Sequence, residues 1–199
     1  KIEEQIHGTL VETLFTMWSS AIPKDTTLRQ NLVVQPVRPN LLVELPEKYS
    51  QLINKVASFK CPTIPIEEST SNVPTLCLVC GMILCSQAYC CQKIINKQSL
   101  GACRYHMSQC SGSVGMFLRV RDCSLVLMTT RQRGCFRPAP YVDEFGEVDQ
   151  GFRRGNPLHL NHELYQKLKS LWLQQGITEE VVNYNEIDYR NVQYDWAHF

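Results

Sequence analysis

Residues 77–110 read CLVCGMILCSQAYCCQKIINKQSLGACRYHMSQC, and they hold seven of the chain's ten cysteines plus His106, eight soft donors in 34 residues. Two pairs frame the stretch: Cys77 with Cys80, followed by Gly81, and Cys103 with His106, with 22 residues between them. A two-residue gap lets a tight turn aim both side chains at one ion. A small residue after the second donor lets backbone amides approach the thiolates. Two such pairs supply the four tetrahedral donors of a closed structural zinc site. Cys77, Cys80, Cys103 and His106 are therefore the expected tetrad. Cys85, Cys90, Cys91 and Cys110 are left over, with Cys61 upstream, and they either build a second site or exchange roles with the first set. Of the neighbours Cys90 and Cys91 one is expected as a ligand, because successive side chains diverge.

A disulfide framework is the competing reading. Its cysteines would be spread to staple loops rather than gathered, and it would leave His106 at a ligand position without a reason. No secretory signal stands at Lys1 and no Asn-x-Ser/Thr sequon occurs. Disulfides persist mainly in oxidising compartments, so a gathered pattern in a chain read as intracellular favours metal. Cys123 and Cys135, outside the cluster, read as buried free thiols. Lys1 is not a natural start, and the chain is expected to be a piece of something longer.

The 199 residues make one large domain or two small ones, and a hydrophobic share of 44% is enough for a core. The net charge of +1 gives no electrostatic case for nucleic acid as a partner. No apolar run approaches the length of a membrane span.

Outward from the cluster, residues 1–20 read as an amphipathic helix, with Ile2, Ile6, Leu10, Leu14 and Trp18 at four-residue spacing and Val11 and Phe15 widening the stripe. Residues 21–45 read as a proline-bearing linker with short strands near 31–34 and 41–43. Pro46 opens a second helix with Tyr49, Leu52, Ile53 and Val56 on one face. Residues 61–74 read as a polar loop. After the cluster, 116–120 and 123–128 form a hairpin broken at Arg121 and Asp122. Arg119, Arg121, Arg131 and Arg133 read as its solvated flanks. Residues 134–157 read as a long loop whose acidic half (Asp143, Glu144, Glu147, Asp149) closes on its basic half (Arg153, Arg154). Asn161 caps a helix that faces inward with Leu164, Leu168, Leu171 and Trp172 and stops at Gly176. His159 and His162 read as surface or capping residues, and the aromatic tail (Tyr184, Tyr189, Tyr194, Trp196) is expected to dock. The fold class is α+β: a zinc-stabilised small domain with a β-hairpin, packed with several amphipathic helices. The expected division is a helical segment over 1–60 and a Cys-rich domain over 61–199.

The order CLVCG, ILCSQAYCC, GACRYHMSQC, GMFLRV, PYVDEFGE and RRGNPLHL resembles the extreme C-terminal region of the UBR family of E3 ubiquitin ligases, most densely over residues 77–160. The resemblance implies a cap (UBR-Leu-Cys) domain of a RING-type ligase that ubiquitinates degron-bearing substrates for degradation. It implies that E2 and ubiquitin are engaged by upstream domains, that the partner of this region is the remainder of the parent ligase, and that the protein works inside the cell, in cytoplasm and nucleus. Neither the substrate-binding box nor the RING of that family is present in these residues, and no catalytic residue carries over.

The residues themselves speak against enzyme chemistry in this stretch. A catalytic zinc keeps an open position beside a general base, whereas the donors here are rich in thiolates without a His-Glu or Cys-Glu motif. A nucleophilic cysteine needs a basic partner, and His106 is accounted for as a ligand. The alternative is a ubiquitin-binding module, because the CLVCG knuckle faintly resembles the zinc fingers of deubiquitinases. Such a reader needs an aromatic and an arginine for the ubiquitin tail, and Tyr89, Tyr105 and Arg104 are its candidates.

Overall fold

A computed structural model describes residues 12–17, 19–20, 40–63, 73–86, 89–95, 97–131, 133–187, 196 and 199. The chain divides into two compact units, Lys1–Pro39 and Asn40–Phe199. In the first, the described residues are helical and expose Leu14, Phe15 and Met17. Ile2, Ile6, Leu10, Val11 and Trp18 lie outside the described residues, as do the strand expected near 31–34 and the tail residues Tyr189 and Tyr194.

The second unit is built on a five-stranded antiparallel sheet of order β2-β1-β5-β6-β7. Its strands are β1 (Val73–Cys77), β2 (Ile83–Ser86), β5 (Val114–Arg119), β6 (Ser124–Thr129) and β7 (Arg133–Pro138). Two small ladders stand apart from it, β3 (Lys93–Ile95) with β4 (Gln98–Leu100), and β8 (Tyr141–Val142) with β9 (His159–Leu160). The helices are α1 (Tyr49–Ala57), α2 (Ala102–Cys110), α3 (His162–Leu173) and α4 (Ile177–Ile187).

Strand periodicity sorts the side chains into two cores. Met116, Leu118, Leu125, Leu127 and Cys135 face a large core completed by Tyr49, Leu52 and Val56 of α1, Tyr165 and Trp172 of α3, and Ile177 and Val181 of α4. The alternate residues Phe117, Val126 and Met128 face a smaller core with Cys77, Cys103, Met107 and Phe199. All six residues of β6 are consequently buried, covered on both faces.

The hairpin expected at 116–128 is present, with Phe117 opposite Val126 and a turn in which Cys123 adopts φ 47°. Several sequence expectations differ from the structure. The helix begins at Tyr49 rather than Pro46, because Lys48 bridges to His159 in extended form and the Pro46 carbonyl accepts from Tyr141 Oη at 2.8 Å. On α1, Ile53 is 41% exposed and only the other three residues of the expected face point inward. Residues 41–43 form no strand; Val43 N–H instead donates to the carbonyl of Leu78, in the turn after β1, at 2.8 Å. The polar loop of 61–74 ends early, since β1 starts at Val73 with Pro74 inside it. Pro74 is tolerated because its carbonyl, and hence its missing donor, faces Val120, just past the end of β5.

The long loop of 134–157 likewise opens with β7 and β8. Gly134 disguised β7: a side chain there would meet the Trp196 ring at 2.5 Å, so a residue with poor strand propensity is required where the tail docks. Beyond β8 the acidic and basic halves do close on each other. Asp149, buried, accepts from the backbone N–H groups of Arg153 (2.9 Å), Arg154 (3.0 Å) and Gly155 (3.1 Å), and Arg154 pairs with Glu147.

Helix α3 is capped as expected, Asn161 Oδ1 accepting from Leu164 N–H at 3.0 Å. Asn161→Ala should cost about 1 kcal/mol, read as a lower urea midpoint with an unchanged slope. Helix α4 was not legible: Gln175, not Gly176, takes the left-handed φ of 56°, and Gly176 begins the next helix by accepting from Glu180 N–H at 3.0 Å.

Candidate metal centre

Two groups of four donors converge, Cys77, Cys80, His106 and Cys110 in one, and Cys61, Cys85, Cys90 and Cys91 in the other. Within each, the ligand atoms all lie within 4.8 Å of one another. Four sulfurs at the zinc–thiolate distance on a tetrahedron would stand about 3.8 Å apart.

In the first group, Cys77 ends β1 and Cys80 follows a tight turn that Gly81 closes, its φ at 78° and its N–H donating to the Cys77 carbonyl at 2.9 Å. His106 and Cys110 are four residues apart on α2, so they share one face. The Cys80 sulfur is 3.2 Å from His106 Nε2. Burial pushes the His106 imidazole below its ordinary pKa, which favours the neutral, ligating form. Burial pushes the Cys77 thiol up to about 12.

The second group gathers Cys61, beyond the end of α1, Cys85 in β2, and Cys90 and Cys91 in a 3-10 turn over Tyr89–Cys91. Its sulfurs stand 3.5 Å (Cys61 to Cys90), 3.4 Å (Cys61 to Cys91) and 3.7 Å (Cys90 to Cys91) apart. These spacings exceed the roughly 2.05 Å of a disulfide. The tight turn brings the adjacent Cys90 and Cys91 to one centre, which an extended chain would not. Burial, then the neighbouring Cys61 and Cys91, push the Cys90 thiol up to about 12.

Thiols gathered this closely are ill suited to lie side by side without a cation to share, and a set of seven sulfurs and one imidazole suits a soft-to-borderline ion. Both groups can hold a metal ion. Of the expected first tetrad, the structure gathers Cys77, Cys80 and His106 and adds Cys110. Cys103 is 1% exposed and lies in the small core with Met107 and Phe117, its thiol 3.7 Å from the Cys85 carbonyl. The i, i+4 spacing of His106 and Cys110 was the available signal. Eight donors cannot be split into two fours without Cys61 once Cys103 turns inward.

Of the residues named for a ubiquitin-tail pocket, Arg104 and Tyr105 make other contacts. Arg104 is buried and donates to the Thr130 carbonyl. Tyr105 is half-buried with Lys93 Nζ 4.2 Å from its ring centroid. The side chain of Tyr89 lies outside the described residues. His159 is exposed in β9, and His162 meets Glu47 at 3.1 Å. No helix among the described residues is long and apolar enough to cross a membrane.

The family model Proteolysis_6 C-terminal matches residues 2–174. The E3 ubiquitin-protein ligase ubr-1 of Caenorhabditis elegans is 91% identical over 199 residues, all of this chain and 10% of that protein. E3 ubiquitin-protein ligase UBR2 of Homo sapiens is 41% identical over 196 residues, covering 98% of this chain and 11% of that protein. E3 ubiquitin-protein ligase UBR1 of Homo sapiens is 43% identical over 188 residues, covering 94% and 11%. The chain spans about a tenth of the length of these relatives.

Proposed function

The chain belongs to the Proteolysis_6 C-terminal family, the C-terminal region of animal UBR E3 ubiquitin ligases, and on that premise we propose that it is the non-catalytic, zinc-stabilised cap of such a ligase. Zinc is the ion we assign to both four-donor groups, and its role is structural. Cap and ligase work together: the remainder of the parent chain is the partner, and RING-type domains elsewhere in it engage E2 and ubiquitin and mark degron-bearing substrates for degradation in cytoplasm and nucleus. Over residues 1–60, the apolar side chains exposed on the first helix supply the contact to the scaffold.

The observation that carries the non-catalytic reading is the employment of the cysteines. Eight donors are gathered in the two groups, and the outlying thiols are sealed in the cores. Burial pushes Cys123 up to about 11 and Cys135 up to about 12, and drives Cys103 upward as well. A transthiolating cysteine has to be accessible and present as thiolate. The ubiquitin-reader alternative is disfavoured by Arg104, whose guanidinium is committed to Thr130 inside the protein.

With E1, E2, ubiquitin and ATP, the purified chain should form neither ubiquitin chains nor a thioester, and free ubiquitin should give no saturable heat on titration. A ubiquitin adduct that dithiothreitol removes overturns the non-catalytic reading. Saturable ubiquitin binding in the low micromolar range replaces the cap with the reader.

A further inference from the structure

We propose that the two metal groups fill cooperatively, and that the coupling runs through the contact of Cys103 in α2 with Cys85 in β2. The inference rests on the zinc reading above. Along the chain the donors interleave: Cys61 belongs to the second group, Cys77 and Cys80 to the first, Cys85, Cys90 and Cys91 to the second, and His106 and Cys110 to the first. The groups therefore share one hairpin. Cys77 sits in β1 and Cys85 in β2, and these strands pair with Pro74 opposite Cys85 and Thr75 opposite Leu84.

Two routes of coupling are open, and their sizes differ. Filling the second group shortens the free chain between Cys80 and His106 from 26 residues to about 20. Loop closure depends on length to the three-halves power, so this favours the first group by less than about twofold. The packed contact is the stronger route.

Helix α2 has nine residues, and its N-cap, Gly101, makes no side-chain cap bond. A helix this short does not hold itself in place. What holds α2, apart from the two ligands it carries, is its buried face. Cys103 and Met107 pack in the small core, the Cys103 thiol reaches the Cys85 carbonyl, and Arg104 N–H donates to the Phe199 carbonyl at 3.1 Å. An ion on Cys85 fixes β2, and β2 is the wall against which α2 sets His106 and Cys110. By linkage, an ion on His106 and Cys110 fixes Cys85 to the same extent.

The test is native mass spectrometry of the reduced, metal-free chain during zinc titration, with alkylation of Cys80 and Cys91 reporting the two groups separately. At half saturation, independent groups leave half or more of the protein with one ion, whatever their affinities. The expected result is a one-ion fraction well below half. Cys85→Ser should weaken the first group by at least about fivefold, the lower end of ordinary coupling. Cys103→Ala should still bind two ions, with its one-ion fraction raised to half or more. That variant keeps every donor of both groups, so it guards against a Cys85→Ser protein that does not fold.

A one-ion fraction of half or more in the unaltered chain overturns the inference. So does a Cys103→Ala protein that fills as cooperatively as its parent, or one that retains a single ion, which would make Cys103 a ligand. A chain that takes up no zinc overturns the zinc reading itself, and the inference with it.

Discussion

Chelation of the metal should unfold residues 61–110 cooperatively, with loss of helix signal and a thermal midpoint that collapses rather than shifts. Apparent binding free energies of structural zinc are on the order of 10–16 kcal/mol per ion, against a whole-domain stability of roughly 5–15 kcal/mol. Either ion alone is comparable to everything else that holds the fold. A shared cation would also relieve the crowding of second-group sulfurs that stand 3.4 to 3.7 Å apart. Binding must displace protons from thiols such as those of Cys77 and Cys90, both pushed up to about 12 by burial. Ligation therefore releases protons, and metal retention should weaken as pH falls. The measurement is circular dichroism melting with and without chelator, alongside metal content. A chelator that strips the ions and leaves the melting curve in place would show that they are ornaments of a self-sufficient fold.

Tyr49→Ala should be the most damaging single substitution away from the metal, at about 3–5 kcal/mol by analogy with other buried aromatic truncations. Tyr49 is 2% exposed and ties α1 to its surroundings in three ways. Its ring meets Tyr141 edge-on at 4.7 Å and Phe152 at 5.3 Å, and its hydroxyl donates to the Val120 carbonyl at 2.7 Å in the β5–β6 turn. Tyr49→Phe separates the terms: it keeps the rings and strands the carbonyl, for about 1–3 kcal/mol. Urea unfolding of the pair checks both figures. Equal losses for the two variants would mean that the hydroxyl, not the packing, carries the site.

Much of this was legible because it is local. The hairpin at 116–128 announces itself by alternation, α3 by its period and its Asn161 cap, and a gathering of metal-capable donors by cysteine spacing. What escaped has non-local causes. β7 hides behind Gly134, whose bareness answers to a tryptophan some sixty residues later. Pro74 argues against a strand unless one knows where β5 ends. The donor sets depend on which side of α2 faces Phe117 and Phe199, a packing decision that buries Cys103 in the core and leaves Cys110, at its edge, to the first donor group. A CxxH pair and an HxxxC pair are equally good patterns on paper, and only the tertiary neighbours of the helix distinguish them.

The strand order has a kinetic consequence. β5, β6 and β7 follow one another through short turns and can zip together soon after synthesis, whereas β1 has to find β5 across an intervening segment that carries six of the eight metal donors. Pairings of high sequence separation form late. Until they do, β5 presents an open edge of Met116, Phe117 and Leu118, an invitation to strands of other molecules. Loss of a metal from these groups would thereby act on aggregation as well as on stability. Deprived of metal, this region should appear first as aggregate, with its meander formed and its edge unguarded, rather than as dispersed unfolded chain.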